Sequence, residues 1–174
     1  MNIFLLSEKQ CPEESAIFQC DIHCKKMCIE EVQLLTNLFP EEKLIYAPKT
    51  QKGTVRKHSH KNHPCDKWTK ESRSNVEWLI EHTRALFREY TFRYNKRHFT
   101  EDMLDWIEKN LDCDSLSNAG LTKFPIAINE NMNCRKVIGF NNLQRFQQYR
   151  LYYQLDKPFS KWERGRNKPE WMNL

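Results

Sequence analysis

Three residues that could carry out acid–base chemistry lie in one helix-forming stretch. His23 and Glu30 are seven residues apart, with Lys26 between them. On an α-helix, side chains with this spacing project within about 20° of each other. An imidazole, an ammonium group and a carboxylate on one face can move a proton or stabilise a developing positive charge. The same pattern is also typical of a solvated helix face with a weak Lys26–Glu30 ion pair, so this motif alone does not decide between the two interpretations.

The opposite face of this stretch is apolar, which predicts that it packs on a core. Its residues are Ile17, Cys20, Cys24, Met27, Cys28, Leu34, Leu35 and Leu38. Glu31 falls toward this apolar side, so its loss is expected to act through stability if it acts at all. The pattern predicts one helix from about Pro12 to Leu38, ended by Pro40. Residues 2–6 are predicted to be a short buried strand or extended segment.

Three further helices are predicted from the spacing of apolar residues. They cover about Pro64–Asn95, about Glu101–Asn110 with Thr100 as its cap, and about Leu143–Gln154. Only 4 Gly and 7 Pro argue against a turn-rich β-sandwich. The expected fold is mainly α: a compact helical single domain, residues 1–174, with a short N-terminal extended segment. A basic connecting loop at about 40–63 and an irregular basic aromatic C-terminal tail at about 155–174 complete it.

Cysteine usage and the lack of a long apolar run favour an intracellular protein. Seven Cys is an odd number, and three of them lie on the apolar helix face, where Cys packs as a small hydrophobe. The apolar run at residues 2–6 has no basic flank and is too short for a secretory signal. No segment approaches the roughly 18 apolar residues of a membrane span. We therefore expect a cytoplasmic monomer (inside the host cell if the protein is viral) with free thiols and no membrane contact.

Two basic segments predict contacts with a polyphosphate such as DNA. The loop has no acidic residue between Glu42 and Asp66, and the tail interleaves cations with aromatic side chains. That mixture suits phosphate contacts and base stacking. The candidate DNA-binding residues are Lys25, Arg56, Lys57, His58, His60, Lys61, His63, Arg150, Tyr152, Tyr153, Lys161, Trp162 and Arg164. The loop is equally compatible with an ordinary solvated segment, and about half of the tail aromatics are expected to pack in the core.

A zinc-dependent module is an alternative use of the same loop. Its nitrogen and sulfur ligands would be His58, His60, His63 and Cys65, helped by Cys20, His23 and Cys24 of the first helix. Their spacing is not that of a recognised zinc finger, and the helix cysteines point largely away from His23. The sequence therefore predicts no metal and no cofactor, with the zinc module kept as an alternative.

Segments across most of the chain are similar to a group of uncharacterised phage proteins. They include Cys20-Asp-Ile-His23, Lys61-Asn-His-Pro-Cys65 and Pro169-Glu-Trp171. More distantly, their order and spacing resemble the pyrimidine-dimer DNA glycosylases of the phage endonuclease V type. The resemblance implies a compact, mainly helical fold and a double-stranded DNA substrate.

The resemblance also implies a mechanism. In that family an N-terminal α-amine attacks the sugar C1′ and forms an imine with DNA. A helix glutamate, seven residues after a histidine, stabilises the sugar charge and assists β-elimination. By this resemblance Glu30 is the catalytic carboxylate, and His23 would either orient Glu30 or contact a phosphate. The amine would be that of Met1, because Asn2 is large for removal of the initiator methionine.

Two cations and one aromatic cluster complete the resemblance. Lys25 and Lys26 are the nearest cations where the family carries arginines beside the glutamate, and Lys26 is a second candidate nucleophile. Tyr149, Tyr152 and Tyr153 match an aromatic cluster near the family's C-terminus. The expected activity is that of a damaged-base DNA glycosylase with AP-lyase activity, and the alternative is a DNA-binding protein without catalysis.

Overall fold

A computed structural model describes residues 1–173, and seven α-helices follow one another within them. They are α1 (Pro12–Phe18), α2 (Asp21–Thr36), α3 (Glu41–Leu44), α4 (Pro64–Glu71), α5 (Arg73–Tyr94), α6 (Glu101–Asn110) and α7 (Arg145–Asp156). Single turns of 3₁₀ helix lie at Asn133–Lys136, Phe140–Asn142 and Glu170–Asn173, and these 173 residues contain no β-strand. The predicted mainly α fold is confirmed.

Helix α5 is the centre of the structure. It packs against α1, α2, α4 and α6, and its buried side includes Val76, Leu79 and Leu86. Helix α2 turns its predicted apolar face inward, since Cys24, Met27 and Cys28 have almost no exposed surface. The opposite face of α2 is thereby left for solvent and for the site.

The first predicted helix is divided into α1 and α2 at Gln19–Cys20. Both residues have extended backbone, with ψ of 142° and 163°. The break leaves carbonyl groups without hydrogen-bond donors from the helix. Arg93 of α5 provides the missing donors, since its guanidinium donates to Gln19 O and to Ile17 O, both at 2.8 Å. Because the stabilising group lies more than 70 residues away, helical periodicity could not show the break.

The second predicted helix is also divided, into α4 and α5 at Ser72. Ser72 has extended backbone (φ −154°, ψ 158°), and its Oγ accepts from the Asn75 amide at 3.1 Å. The same hydroxyl donates to Gly120 O at 2.6 Å, so a distant loop fixes this break as well.

Two smaller predictions about helix ends also need correction. Thr100 occupies the cap position of α6 but makes no capping bond, because its hydroxyl is within 2.8 Å of His98 Nδ1 and 3.3 Å of Cys28 O. Helix α7 begins at Arg145, two residues later than predicted, where Gln144 and Gln147 form a reciprocal capping box.

The basic tail is irregular, as predicted, and it is docked on α2 and α5. The Asp21 amide donates to Lys161 O at 2.9 Å, and the Glu163 amide donates to Asp21 Oδ2 at 2.8 Å. Arg166 binds the carboxylate of Glu89, which also pairs with the buried Arg93. The start of α2 is therefore held by the end of the chain.

All seven cysteines are free thiols, and five of them are buried. Burial raises the pKa of Cys24 and of Cys65 to about 12. Within residues 1–173, the helices are all too short or too polar to cross a lipid bilayer.

Candidate active site

The Glu30 carboxylate lies between two amino groups on the solvent side of α2. The α-amine of Met1 is 3.8 Å from Glu30 Oε2, and Lys26 Nζ is 3.1 Å from Glu30 Oε1. The Glu30 side chain is 18% exposed, so a ligand can reach it. Three of the four predicted catalytic residues thus meet, and the arrangement places a potential nucleophile beside a carboxylate.

The position of the Met1 amine is set by the extended segment that follows it and by α7. Residues Ile3–Leu6 are all buried. Arg150 Nε donates to Leu6 O at 2.9 Å, and the Tyr149 hydroxyl is 3.3 Å from Asn2 Oδ1. Since Asn2 adjoins Met1, these contacts restrict where the amine can lie.

His23 is packed inside the protein next to the site. Its ring stacks on Phe4 with centroids 4.7 Å apart, and its Nδ1 forms a 2.5 Å hydrogen bond with the Tyr153 hydroxyl. Burial lowers the pKa of His23 to about 3, assisted by the positive charges of Lys157 and Lys26. The side chain is therefore neutral at neutral pH, and a buried, uncharged ring does not suit the expected phosphate contact. Its other expected role, to orient Glu30, stays a prediction.

Glu31, the neighbour of Glu30, faces the interior as expected. Both of its carboxylate oxygens lie 2.9 Å from His82 Nδ1, and Thr83 Oγ1 donates to it at 3.0 Å. Its side chain has no exposed surface. Two consecutive glutamates thus have opposite environments, one open to a ligand and one tied into the core.

His63 lies close to the site, although the sequence placed it only in the basic loop. It is the N-cap of α4, where its Nδ1 accepts from the Cys65 amide at 3.2 Å. Burial lowers the pKa of His63, the positive charges of the Met1 amine and of His60 lower it further, and Glu30 opposes them. The charges of the Met1 amine and of Glu30 therefore act directly on the His63 imidazole.

Among the predicted DNA contacts of α7 and of the tail, four side chains are buried or held by other parts of the protein. Tyr153 has no exposed surface and Tyr152 has 6%, so the prediction that they stack on DNA bases is corrected: they pack in the core. Arg150 is partly buried over the Phe146 ring, at 4.8 Å from its centroid. Trp162 Nε1 donates to Phe18 O at 3.1 Å.

Exposed cations line a shallow groove on the outer side of α2. The groove has a volume of about 480 Å³ and is lined by Ile22, Lys25, Lys26, Ile29, Tyr94 and Arg164. The Arg164 guanidinium stacks over the Tyr94 ring at 4.6 Å. Lys161, three residues before Arg164 in the tail, is also exposed. These cations remain the predicted DNA contacts from α2 and the tail.

In the connecting loop, the predicted contacts differ in how freely they face solvent. Lys57, His60 and Lys61 are exposed, with Lys61 Nζ 4.0 Å from a Glu41 oxygen. Arg56 is partly buried and donates to Pro48 O at 3.0 Å. The remaining contact, His58, is held between Phe39 O and Glu41.

The zinc alternative is wrong for the described part of the chain. Among residues 1–173, no three His, Cys, Asp or Glu side chains come together as a metal site. Of the proposed ligands, His58 bonds Phe39 O at 2.6 Å, His63 caps a helix, and Cys65 is buried.

A family model described as pyrimidine dimer DNA glycosylase matches residues 1–102, more than half of the chain. The chain belongs to the pyrimidine dimer DNA glycosylase family. No similar curated protein and no similar solved structure is found. At the level of the family, the protein is a DNA-repair glycosylase that acts on DNA. The matched region contains the Met1 amine, Lys26 and Glu30, and it ends before α7, the helix that holds the amine in place.

Proposed function

We propose that this glycosylase excises a damaged or dimerised pyrimidine through an imine and then cleaves the strand as an AP lyase. The observation that carries the proposal is the 3.8 Å separation between the Met1 amine and Glu30, inside the region that the family model matches. Covalent catalysis of this kind divides one difficult displacement into easier steps.

In the first step, the neutral amine of Met1 attacks C1′ of the damaged nucleotide. The new bond joins the amine nitrogen to C1′, and the glycosidic bond breaks with its electron pair leaving on the base, which takes up a proton. The bond between C1′ and O4′ then breaks, O4′ takes up a proton from solvent, and the opened sugar carries the protonated imine. The Glu30 carboxylate lies where it can stabilise the positive charge that develops on the sugar and the imine.

In the second step, a proton leaves C2′ and the bond to the 3′ phosphate breaks. Glu30 is the group we assign to this proton transfer, since it is the carboxylate nearest the amine. Lys26 pairs with Glu30 at 3.1 Å, which fixes the carboxylate beside the amine. We assign the nucleophile to Met1 because the nucleophile of the family that the chain resembles is an N-terminal α-amine, and the Met1 amine lies 3.8 Å from Glu30.

Borohydride trapping tests the nucleophile directly. Reduction of an imine links the protein covalently to DNA, so the unmodified protein should be trapped on DNA carrying a pyrimidine dimer or an abasic site. One residue added before Met1 should abolish trapping and leave DNA binding intact, while Lys26→Ala should still trap. Mass spectrometry of the mature N-terminus must accompany the assay, because it identifies the amine present.

Two other outcomes would change the assignment. Trapping that survives the extension and is lost in Lys26→Ala would make Lys26 the nucleophile. If no variant is trapped while all bind DNA, the imine mechanism fails and a DNA-binding role without imine chemistry replaces it.

The remaining expectations belong to the same proposal. We infer a duplex substrate because the exposed cations of the loop and of the tail are suited to a phosphate backbone. Comparison of trapping on single-stranded and double-stranded abasic DNA tests this. Sedimentation of the free protein tests the expected monomer, and its location in producing cells tests the expected cytoplasmic site of action.

A further inference from the structure

A rigid turn between α6 and α7 presents one isoleucine entirely to solvent. Ile138 is as exposed as a free side chain, at 101% of the reference area. The turn is closed by a 3.1 Å bond from the Phe140 amide to Val137 O, and Gly139 supplies the left-handed conformation (φ 82°) that it requires. Cys134 and Phe140 are buried beneath the turn and anchor it.

The surface around Ile138 carries amides and positive charge. No acidic residue lies between Glu130 and Asp156. Glu130 pairs with Arg135 at 3.1 Å, and Asp156 accepts the amides of Asn133 (2.7 Å) and Cys134 (2.9 Å). The exposed polar side chains here are Asn131, Asn133, Lys136, Asn141, Asn142, Gln144 and Gln147. Such a surface suits a nucleic acid, which offers phosphates to the positive charge and base edges to the amide side chains.

The turn is connected to the residues that position the Met1 amine. Arg135 donates to Ile128 O at 3.0 Å, and the adjoining Ala127 amide lies 3.3 Å from the Tyr149 hydroxyl that also contacts Asn2. The turn and the amine thus share one supporting structure.

We propose that Ile138 is a wedge that enters the base stack of duplex DNA from the minor groove. Apolar side chains inserted between base steps unstack them and kink the duplex, while neighbouring Asn, Gln and Lys side chains hold the groove. One isoleucine on a narrow turn is too small for a stable protein–protein interface, whereas it matches the gap of one opened base step. The proposal rests on the family's DNA substrate and is independent of the imine chemistry.

A duplex that cannot react tests the wedge. It carries a tetrahydrofuran abasic analogue flanked by 2-aminopurine, whose fluorescence rises when it unstacks. Binding of the unmodified protein should raise the fluorescence, and Ile138→Ala should lose most of that rise. Affinity should fall by about tenfold, as expected when the burial of one aliphatic side chain is lost. The unfolding temperature should not change, because Ile138 touches solvent only.

Matched variants separate this effect from others. Ile45, the residue after α3, is 54% exposed and is neither part of this surface nor one of the predicted DNA contacts, so Ile45→Ala should leave both signals unchanged. Lys136→Gln should reduce the slope of log affinity against log salt by about one unit and should leave the fluorescence rise unchanged.

Three results would overturn the wedge. They are a fluorescence rise that Ile138→Ala preserves, a bound complex of the unmodified protein without any rise, and Ile138-dependent binding to anionic vesicles in place of DNA. Because the duplex analogue forms no imine, these results are independent of borohydride trapping.

Discussion

Glu30 and Glu31 make a matched pair at the scale of single residues. If Glu30 is catalytic, Glu30→Gln keeps its size and should leave the fold and DNA affinity nearly unchanged, while strand cleavage falls by orders of magnitude. Glu31→Gln breaks the buried contact with His82 and should lower the free energy of unfolding by about 3 kcal/mol. Its folded fraction should still cleave. Single-turnover cleavage and denaturant unfolding of both variants measure the difference.

Equal cleavage by Glu30→Gln and the unmodified protein would remove Glu30 from the mechanism. A Glu31→Gln variant that is as stable as the unmodified protein would contradict the buried contact with His82.

The neutral state of His23 has a consequence for stability at low pH. Its pKa is about 3 in the folded protein against about 6.5 in an unfolded chain, so the unfolded state binds the extra proton between those values. Stability must therefore fall as the pH falls from about 6.5 toward 3, with up to about 1.4 kcal/mol per pH unit from this residue. His23→Asn should remove the contribution of one proton from the slope of the free energy of unfolding against pH. Denaturant unfolding from pH 4 to 6 measures this slope.

The exposed His60 provides the comparison: His60→Asn makes the same replacement outside the core, so a change seen in both variants is not due to the burial of His23. A slope that is the same in the His23 variant would show that the ring is not held neutral by burial.

At the scale of elements, α7 acts as a support for the N-terminal segment. Tyr149→Phe removes the hydroxyl near Asn2 and keeps the ring. The amine should then sample more positions, so the trapping rate at saturating protein should fall by about tenfold while DNA affinity stays the same. Tyr152 lies on the same helix, and its hydroxyl accepts a hydrogen bond from Lys157, so Tyr152→Phe should have little effect.

Equal losses in both tyrosine variants would indicate a general weakening of α7 and would contradict a specific role for Tyr149. A lower unfolding temperature alone cannot imitate the expected result, because trapping and binding are compared in the same folded protein.

Helix identity was predictable from the sequence, whereas the helix breaks and the support of the amine were not. The two faces of α2, and the opposite environments of Glu30 and Glu31, follow from the 3.6-residue period of the helix, which is visible in this short segment of sequence alone. The breaks at Cys20 and Ser72 depend on Arg93 and Gly120, and the amine depends on Tyr149, 147 residues from Asn2. Such partners are set by packing between distant elements, which a local period does not contain.

Over the whole molecule, charge should determine how binding depends on salt. Each phosphate contact releases condensed counterions, so affinity should fall steeply as salt rises. Neutralising Arg56, Lys57 and Lys61 together should reduce the slope of log affinity against log salt by about 2–3 units. The lower value is expected, because Arg56 is partly buried and bonded to Pro48 O. Fluorescence anisotropy at several salt concentrations gives the slope.

Lys9 and Lys109 are exposed and lie outside the predicted contact segments, so neutralising both should change the slope by less than about one unit. A slope that the triple variant leaves unchanged would show that the connecting loop does not touch the DNA backbone.

The rate at which the buried thiols react measures how often the protein core opens. Cys24 is both out of reach and held protonated by burial, so an alkylating reagent can label it only during excursions of the core that expose it. Native protein should therefore gain two labels promptly, at the partly exposed Cys11 and Cys113, and the other five on the timescale of opening. Since α2 carries Cys24 on one face and Glu30 on the other, bound DNA should slow the labelling of Cys24 without touching it. Mass spectrometry at successive times would give the labelling rate of Cys24, and a lower rate would show that DNA is bound on the other side of α2.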